Sequence, residues 1–483
     1  MNQQSPYIFT YLFLRALSAG TAGVLFLSSC TTTPTKSTDE LNAKVPMDWH
    51  QSLVSVQLVE DAGDLSQWWR QFKDPIMDQL IASALENNPT LRSVLLNVET
   101  ARTQKGIASS ALWPNVDAGV SGSGNRIDDL KQNSNTTGES YGANFSASWE
   151  VDLFRKQSDV IDSADADLRA SEQDFHAAQV LLAAEVAETY LGFRSVQQEY
   201  AILTDSIDMR EQTLQIIRWQ EAAGEVNILE VQQAIVFLEQ ARTALPTLEQ
   251  NMEEYLNALA VLCGDTPGSL HGLLKTSSVL PTLPAEIQCE FPAELLDQRP
   301  DIKAARLRIE AATANLSAAE KERLPSLTLF GSINLDEDRL GDLLDPTELV
   351  SNLVGSLTAP IWDAGRIGKQ IELQDINLRQ AYLSYESQVL TALSEVENAL
   401  SSIVTSTRGI TLAQTATDAA RLSVEIAEQQ FGAGEVDLLS VLESQRSQLS
   451  LEQSLINAHI KQLNGHIQLY RAMGGGWSVP QNK

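Results

Sequence analysis

The chain has 483 residues, of which 43% are hydrophobic, 6% are aromatic and 20% are charged, and its formal net charge is −29. This composition excludes a multi-span helical membrane protein but permits a long, alanine-rich helical body. The excess of acidic side chains, with no basic patch, argues against nucleic acid or an anionic membrane surface as a partner.

The N-terminus has the pattern of a bacterial lipoprotein signal. An apolar run over residues 16–29 follows Arg15 and ends in Leu27-Ser28-Ser29-Cys30. We therefore expect a signal peptide over 1–29 and lipid, such as palmitate, on Cys30. The alternative is an uncleaved membrane anchor over 7–29, although Arg15 and two glycines interrupt that segment.

The residues after Cys30 predict the destination of the mature protein. Thr31 stands where an Asp would be the usual signal for retention in the inner membrane, so we expect delivery to the outer membrane. The polar stretch that follows predicts a lipidated tether over 30–75.

The rest of the chain is internally duplicated. Residues 88–92 are repeated 211 positions later at 299–303, and 224–229 are repeated 210 positions later at 434–439. Such self-similarity predicts two copies of one structural unit. We place these copies at 76–264 and 293–475. An equatorial linker then covers 265–292 and a C-terminal tail covers 476–483.

Each copy contains two segments with apolar residues at every second position. They predict β-hairpins over 113–152 and 325–362, with strands about 10 residues long, the length that a tilted transmembrane strand needs. Polar loops over 125–140 and 336–348 would join the strands. A soluble sheet with one wet face is the alternative. The lipoprotein signal and the flanking tryptophans Trp113, Trp149 and Trp362 favour the membrane.

A long helix follows each hairpin. From Leu182 to Ile217 apolar residues recur at alternating steps of four and three, broken only at Thr189 and Arg210, and the same register holds from 392 to 427. A sustained 3.5-residue repeat is typical of a coiled coil. We predict helices from just after 152 and 362 to about 220 and 430, each about 100 Å long.

The turns after these helices make them long antiparallel hairpins. Glycine allows the tight reversal at each tip, and the return helix of the second copy has its own apolar seam from Leu439 to Tyr470. Pro246 should break the return helix of the first copy. The tips are candidate docking sites through the residues Gly224, Glu225, Val226, Gly434, Glu435 and Val436.

Four strands per chain cannot close a barrel. An open sheet in lipid would leave unpaired backbone groups on both edges, at several kcal/mol each, so the chain must oligomerise. Eight strands would give an interior filled with side chains. Twelve strands, from three chains, is the smallest number that leaves a hole.

Three stretches identify a family that the chain resembles. The segments at 68–92, 295–327 and 469–477 are similar to signatures of TolC-type outer-membrane efflux lipoproteins of the OprM/NodT-like branch. The resemblance implies a mainly α protomer with transmembrane β-strands, and a trimer with a 12-stranded β-barrel continued by a helical barrel. It also implies docking of the tips on a periplasmic adaptor, which links the channel to an inner-membrane pump.

The resemblance also suggests a gate at the second tip. Leu439 and Glu443 lie one turn apart on one helix face and occupy the positions of the leucine and acidic gate rings in OprM-like proteins. Glu443 replaces the usual Asp of that motif. The alternative is that Leu439 is simply a seam residue of the hairpin.

Signs of chemistry are absent from the sequence. No catalytic motif, metal site or cofactor site is found, and His459 and His466, seven residues apart, are predicted as solvated surface. Cys263 and Cys289 could form a disulfide or remain free thiols. An acidic run is predicted as a solvated face, or as a negative lumen wall, and comprises Asp159, Asp162, Asp165 and Glu172.

These observations predict the outer-membrane channel of a tripartite, RND-type efflux pump, a passive exit duct for drugs or small molecules. The alternatives are the exit channel of a protein-secretion system and a non-conducting periplasmic coiled-coil scaffold.

Overall fold

A computed structural model of the protein describes residues 46, 49–50, 56–59, 65–129, 134–274, 280–283, 287–290, 298–344, 346 and 348–477, all within the unit Pro46–Lys483. The predicted signal peptide and Cys30 lie outside the described residues.

The elements occur in the same order in both copies. A short strand β1 (Val56–Val59) and a 3-10 turn (Trp68–Phe72) come first. The first copy then consists of α1 (Pro75–Asn87), α2 (Pro89–Ser110), β2 (Asn115–Asp129), β3 (Ser134–Val151), α3 (Lys156–Ala223), α4 (Ile228–Arg242) and α5 (Leu245–Leu262). After α6 (His271–Leu274) and β4 (Ile287–Glu290), the second copy consists of α7 (Pro300–Lys321), β5 (Ser326–Glu337), a 3-10 turn (Leu340–Leu344), β6 (Val350–Thr358), α8 (Arg366–Gly432) and α9 (Leu438–Ala472).

The long helices α3 and α8 have 68 and 67 residues, which makes each about 100 Å long. The predicted heptad seam of α3 is buried or half-buried throughout, and so is that of α8. Both helices pack along their return helices. The coiled-coil prediction is therefore confirmed within the protomer.

The return helix of the first copy is broken, as predicted. It ends at Arg242 and resumes at Leu245, with Pro246 in the first turn of the new segment. Proline has no N–H to donate and its ring would clash with a preceding carbonyl, so a helix can begin at this position but cannot run through it. In the second copy Ile456 stands at the matched position, and α9 is continuous over 35 residues.

Arg210 is the polar residue that interrupts the seam of α3, and it is nevertheless buried. Its guanidinium donates to the carbonyl oxygen of Phe237 at 2.9 Å and lies 4.0 Å from the centre of the Phe237 ring. Burial lowers the pKa of Arg210. The Phe237 carbonyl and ring thus stabilise the Arg210 cation at a seam position where most other residues are apolar.

The four longer strands form one antiparallel sheet in the order β2-β3-β5-β6. In this register Val116 faces Ala147, Ala147 faces Gly331, and Gly331 faces Leu353. The apolar positions predicted from the alternation therefore share one face of the sheet, because side chains of a strand point alternately to its two faces.

The first hairpin is longer than the sequence pattern indicates. Strands β2 and β3 have 15 and 18 residues and pair from Asn115–Ser148 to Asp129–Ser134, so most of the predicted loop over 125–140 is strand. Residues 121–129 and 134–140 of this hairpin are polar or glycine apart from Ile127, so the sequence there carries no alternation to detect. In the second hairpin, the predicted loop over 336–348 contains the 3-10 turn.

The C-terminal part of the predicted tether over 30–75 belongs to the core. Trp68 is 1% exposed and stacks on Tyr470 at 5.4 Å between ring centres, while the Tyr470 hydroxyl donates to Gln71 at 2.6 Å. Burial raises the pKa of Tyr470 to about 12. Strand β1 also pairs in parallel with β4, which lies in the predicted linker over 265–292.

The start of the predicted tail over 476–483 is packed as well. The Gly476 N–H donates to the carbonyl of Leu65, and Trp477 stacks on His176 at 4.4 Å between ring centres. The Lys303 ammonium lies 5.3 Å from the centre of the Trp477 ring. Trp477 therefore contacts both copies.

In both copies, a side chain at the start of one helix donates a hydrogen bond to a carbonyl at the end of the return helix. The Asn88 side chain donates to the carbonyl of Leu262 at 2.8 Å, and Arg299, at the matched position, donates to the carbonyl of Ala472 at 2.7 Å. Arg299 also forms ion pairs with Asp301 and Glu395 at 2.7 and 2.8 Å. The second copy thus replaces a neutral amide with a buried cation and two carboxylates.

Candidate functional site

One face of the four-stranded sheet is apolar and exposed. Nothing in the described protomer covers it, and exposed fractions on this face reach 79% for Val120 and 85% for Leu353. An exposed apolar sheet of this size marks a surface that contacts lipid or another protein. Its larger side chains are Val116, Val120, Phe145, Ile333, Leu353 and Leu357.

Exposed aromatic and aliphatic side chains lie where this sheet meets the helices. Trp113 and Trp362 are 75% and 87% exposed, and Ile361 is also exposed. Tryptophan is enriched at membrane–water boundaries, because its ring is apolar and its N–H is polar. The third predicted belt residue, Trp149, is half-buried.

The opposite face of the sheet is polar. Where all four strands pair, nine of the twelve positions on this face are serine, asparagine, aspartate or glycine. The exceptions are Phe330, Val354 and Val350. A sheet with one apolar and one polar face suits a wall between lipid and water.

The two hairpin tips have the same backbone structure. Gly224 and Gly434 adopt the left-handed conformation, with φ of 81° and 76°. In each tip the glycine N–H and the N–H of the following glutamate, Glu225 or Glu435, donate to the last carbonyls of the long helix. This is the Schellman arrangement, which favours glycine because a side chain is strained at positive φ.

The next helix is capped two residues further on. The Asn227 side chain accepts from the N–H of Leu229 at 2.8 Å, and Asp437 accepts from the N–H of Ser440 at 3.0 Å. The hydrogen bonds from Ser440 lower the pKa of Asp437. The repeated sequence at the two tips is therefore a helix stop followed by a helix start.

The structure brings the two tips of one protomer side by side. An apolar cluster combines Leu214, Ile217 and Val231 of the first copy with Leu438 and Leu442 of the second. Glu225 and Glu435 are exposed at the surface of the tips, as predicted from the sequence. Val226 and Val436 are not: both are half-buried, and Val226 packs against this cluster.

Leu439 is not a seam residue of the protomer. It is 54% exposed, whereas Leu438 and Leu442 are 3% and 5% exposed and face the core. The buried face of the first turn begins one position earlier than the heptad indicated, because Leu438 and Leu442 pack in the cluster between the two tips. Leu439 and Glu443 thus lie on an exposed face of α9, where Glu443 pairs with Arg446 at 3.0 Å.

Sequence reasoning missed the residue that links the two copies near the tips. Gln445 is 1% exposed, and its amide nitrogen donates to Thr213 of α3 at 3.1 Å and to Glu428 of α8 at 3.0 Å. A cavity of about 160 Å³ lies beside these residues, lined by α3, α8 and Val441 of α9. A glutamine within a helical pattern gives no sign of this role; only its place among buried leucines could have indicated it.

The predicted acidic face is paired with basic side chains. Lys321 binds Asp159, which is 9% exposed, and the other three acidic residues each have a basic partner within 3.8 Å. These carboxylates therefore each have a basic neighbour within the protomer, and the negative lumen wall stays a prediction. The pairs are Asp159–Lys321, Asp162–Arg155, Asp165–Lys105 and Glu172–Arg102.

The histidine and cysteine predictions have mixed outcomes. His466 is 4% exposed and its Nδ1–H donates to the Gln462 carbonyl at 2.8 Å, so its prediction as solvated surface is wrong. Cys263 is a free, buried thiol, and burial raises its pKa to about 11. Within the described part of the chain, no group of three or more metal-ligating side chains is found.

No helix in the described ranges is long and apolar enough to cross a membrane.

Comparisons with known proteins agree with this architecture. A sequence model of the outer membrane efflux protein family matches residues 80–265 and 291–475, one match for each copy. OpmQ of Pseudomonas aeruginosa, a pyoverdine export outer membrane protein, is 29% identical over 460 residues, which are 94% of this chain and 95% of OpmQ. TtgF of Pseudomonas putida, a toluene efflux pump outer membrane protein, is 30% identical over 419 residues, 85% of each chain.

The fold is also that of solved channels. The outer-membrane channel OprN superposes with a TM-score of 0.81 at 26% sequence identity, over 93% of this chain and all of the OprN chain. These relatives are efflux channels, and nothing among them supports the secretion or scaffold alternatives. The chain therefore belongs to the outer membrane efflux protein family: it is the outer-membrane channel component of an efflux pump, with a periplasmic helical domain, and it is not an enzyme.

Proposed function

We propose that three copies of this chain form a passive exit duct for small molecules. The observation that carries the proposal is the open sheet: β2 and β6 each have a described neighbour on one side only, and one face is apolar and exposed. Unpaired strand edges in lipid cost several kcal/mol per group, and joining β6 of one copy to β2 of the next removes them. Three sheets give twelve strands and leave an aqueous lumen.

The helical hairpins extend this duct into the periplasm. Helices about 100 Å long carry the lumen from the sheet to the tips. Such a duct has no energy source of its own, so the partners are a periplasmic adaptor and an RND-type inner-membrane pump. The relatives named for pyoverdine and toluene support a small-molecule cargo, which the pump selects.

The tips are the docking surface for the adaptor. Gly224 and Gly434 shape the same turn twice, and Glu225 and Glu435 are exposed beside them. Val226 and Val436 support the turn from within, because they are half-buried. A trimer would present six such turns, which suits a ring of adaptor hairpins.

Cysteine crosslinking tests the docking surface. Glu225→Cys and Glu435→Cys should crosslink to the adaptor in cells that express the whole pump. Gly272→Cys, in the equatorial region, is the control, because the added Cβ would meet no atom there within 4 Å and the φ of Gly272 is not positive. Crosslinks from the control and not from the tips would contradict docking at the tips.

The second tip forms the gate of the closed duct. Leu439 and Glu443 lie on the exposed face of α9, available to the lumen of a trimer. Three Leu439 would make a dry constriction and three Glu443 an acidic ring, whose charge Arg446 partly offsets. The first copy has Leu229 and Gln233 at the matched positions and cannot supply the charge.

The mature chain is also anchored by lipid on Cys30. The support is the sequence Leu27-Ser28-Ser29-Cys30 after an apolar run. The sheet itself holds the protein in the membrane, so the lipid has an auxiliary role.

A further inference from the structure

Two apolar side chains lie together on the polar face of the sheet. Phe330 of β5 and Val354 of β6 are directly opposed, and they are 41% and 51% exposed. Their row across the sheet continues with Ser148 and Asn115. The rows on either side contain serine, threonine, asparagine, aspartate and glutamate. The pair is therefore an apolar patch between two hydrophilic rows, with Val350 two rows away on the same face.

The duplication shows that the fold does not need this patch. In the first hairpin the matched cross-strand pair is Gly119 and Asn144, and the Asn144 side chain covers the space above Gly119. A Cβ added at Gly119 would lie 2.5 Å from the Asn144 amide oxygen. At the matched cross-strand position, the first hairpin thus has a glycine covered by an asparagine side chain, and the second has an exposed phenylalanine beside a valine.

An exposed Phe–Val pair facing water is unfavourable unless something apolar covers it for part of the time. The proposed function makes the polar face the wall of the lumen, so the occupant is a molecule that passes through the duct. Phe330 is four residues from the helical end of β5, about 13 Å along the strand. A solute leaving the helical tunnel meets the patch soon after it enters the sheet.

We propose that the Phe330–Val354 pair is a contact site for aryl-bearing, apolar solutes in transit, repeated three times around the lumen. The inference rests on the proposed function and names the class of solute that the wall favours. Aromatic rings on the solute would pack on the Phe330 ring, while polar solutes would pass the serine and asparagine surface without contact. The site is weak, because a duct must release what it binds.

Current block in planar bilayers tests the site with the full-length channel. Tetraphenylphosphonium, an aryl cation, is added on the extracellular side, and tetraethylammonium serves as the alkyl control. Phe330→Ser with Val354→Asn makes the second hairpin resemble the first. Removing about 40 Å² of apolar contact should raise the half-blocking concentration of tetraphenylphosphonium about fivefold and leave that of tetraethylammonium unchanged.

Two further variants keep the test decisive. Ser121→Ala, on the same face but three rows from the patch, should leave the block unchanged. Gly119→Phe with Asn144→Val installs a second pair per chain and should lower the half-blocking concentration about twofold, since it doubles the sites. If the Phe330→Ser/Val354→Asn variant does not conduct, the block of the wild type is compared with that of Val354→Asn alone.

The remaining outcomes separate the two proposals. Equal tetraphenylphosphonium block in wild type and Val354→Asn would overturn the contact site but leave the duct intact. Absence of any conductance in both the wild type and the Leu439→Ser/Glu443→Gln variant would overturn the proposed function itself. In Phe330→Cys, labelling by a water-soluble thiol reagent from the extracellular side is expected. A lack of labelling beyond the wild-type level would mean that a neighbouring copy covers the patch, which also overturns the inference.

Discussion

Single residues distinguish the two copies at positions where their backbones agree. Both tips have the same glycine turn and the same exposed leucine, Leu229 or Leu439. The next turn carries Gln233 in one copy and Glu443 in the other. Because the fold is the same, such differences point to function, and they support the proposed gate at the second tip.

The gate assignment predicts a change in conductance. Leu439→Ser with Glu443→Gln should increase single-channel conductance severalfold and sensitise cells to large antibiotics, because the dry constriction and the acidic ring both disappear. Both side chains are exposed in the protomer, so the change should not unfold it.

The first copy supplies the matched control for the gate. Leu229→Ser alters an equally exposed leucine at the first tip, which is 61% exposed, and should leave conductance near the wild-type level. Wild-type conductance in the Leu439/Glu443 variant would place the constriction elsewhere. Equal increases in both variants would mean that both tips gate.

Asp301 predicts how stability depends on pH. Burial alone would raise the pKa of Asp301, but hydrogen bonds and charge from Arg299, with further hydrogen bonds from Gln388 and the Ile302 N–H, outweigh it and lower the pKa. The ion pair therefore stabilises the folded state above the unfolded pKa of about 3.9 and is lost as pH falls through the folded pKa.

Thermal melting of the helical signal checks this sign. The wild-type melting temperature should fall more steeply between pH 5 and pH 3 than that of Asp301→Asn, which lacks the titrating group. The variant should already be less stable at pH 7, because Arg299 is 6% exposed and loses one of its two anionic partners. Parallel profiles would show that the pair contributes nothing to the pH dependence.

At the level of elements, periodicity was a reliable guide where the protomer packs on itself. The seam from Leu182 to Ile217 is buried as the heptads indicated, since neighbouring helices of the same chain cover it. The break at Pro246 follows from the chemistry of proline alone. Leu439 and His466 were misplaced, because α9 packs on the first copy as well as on α8, which changes the face of α9 that is covered.

Strand length was less predictable. The alternation ends where the first hairpin leaves the apolar zone, but the backbone pairing continues to Asp129 and Ser134. Hydrogen bonds between strands do not require apolar side chains, so the outer part of the hairpin has no periodic signal. The alternation also did not predict the Phe330–Val354 pair, since Phe330 occupies a position expected to be polar.

The tip turn predicts a local effect of one methyl group. Gly434→Ala puts a Cβ on a residue with φ of 76° and should destabilise the turn by about 1 kcal/mol. Gly432→Ala is the control, because its added Cβ would meet no atom within 4 Å and its φ is not positive. Hydrogen exchange at the Glu435 N–H, which donates to Gln430, should quicken in the first variant only. Equal rates would refute the role of the turn glycine.

At the scale of the whole molecule, the equatorial region was the least predictable part. Trp68 stacks on Tyr470, 402 positions away in the chain, and Gln71 accepts from the same tyrosine. Contacts of this kind join the two ends of the duplicated body, and no local pattern in the range 30–75 reveals them. The duplication was accessible from the sequence, because a repeat is a property of the chain alone, and the family model matches the chain twice.

The lipid anchor also belongs to this scale. Metabolic palmitate labelling should be present in the wild type and absent in Cys30→Ala, while efflux falls only in part because the sheet still holds the channel in the membrane. Unchanged labelling, or a mature protein that still begins at Met1, would contradict lipid attachment at Cys30.

The central claim is that copies of this chain enclose a continuous aqueous duct. Planar-bilayer recording of the purified full-length protein in potassium chloride tests it most directly. Discrete, uniform conductance steps are the predicted result, because three four-stranded sheets close into one lumen of fixed size. The account would be contradicted if both the wild type and the Leu439→Ser/Glu443→Gln variant insert into the bilayer and neither gives conductance steps.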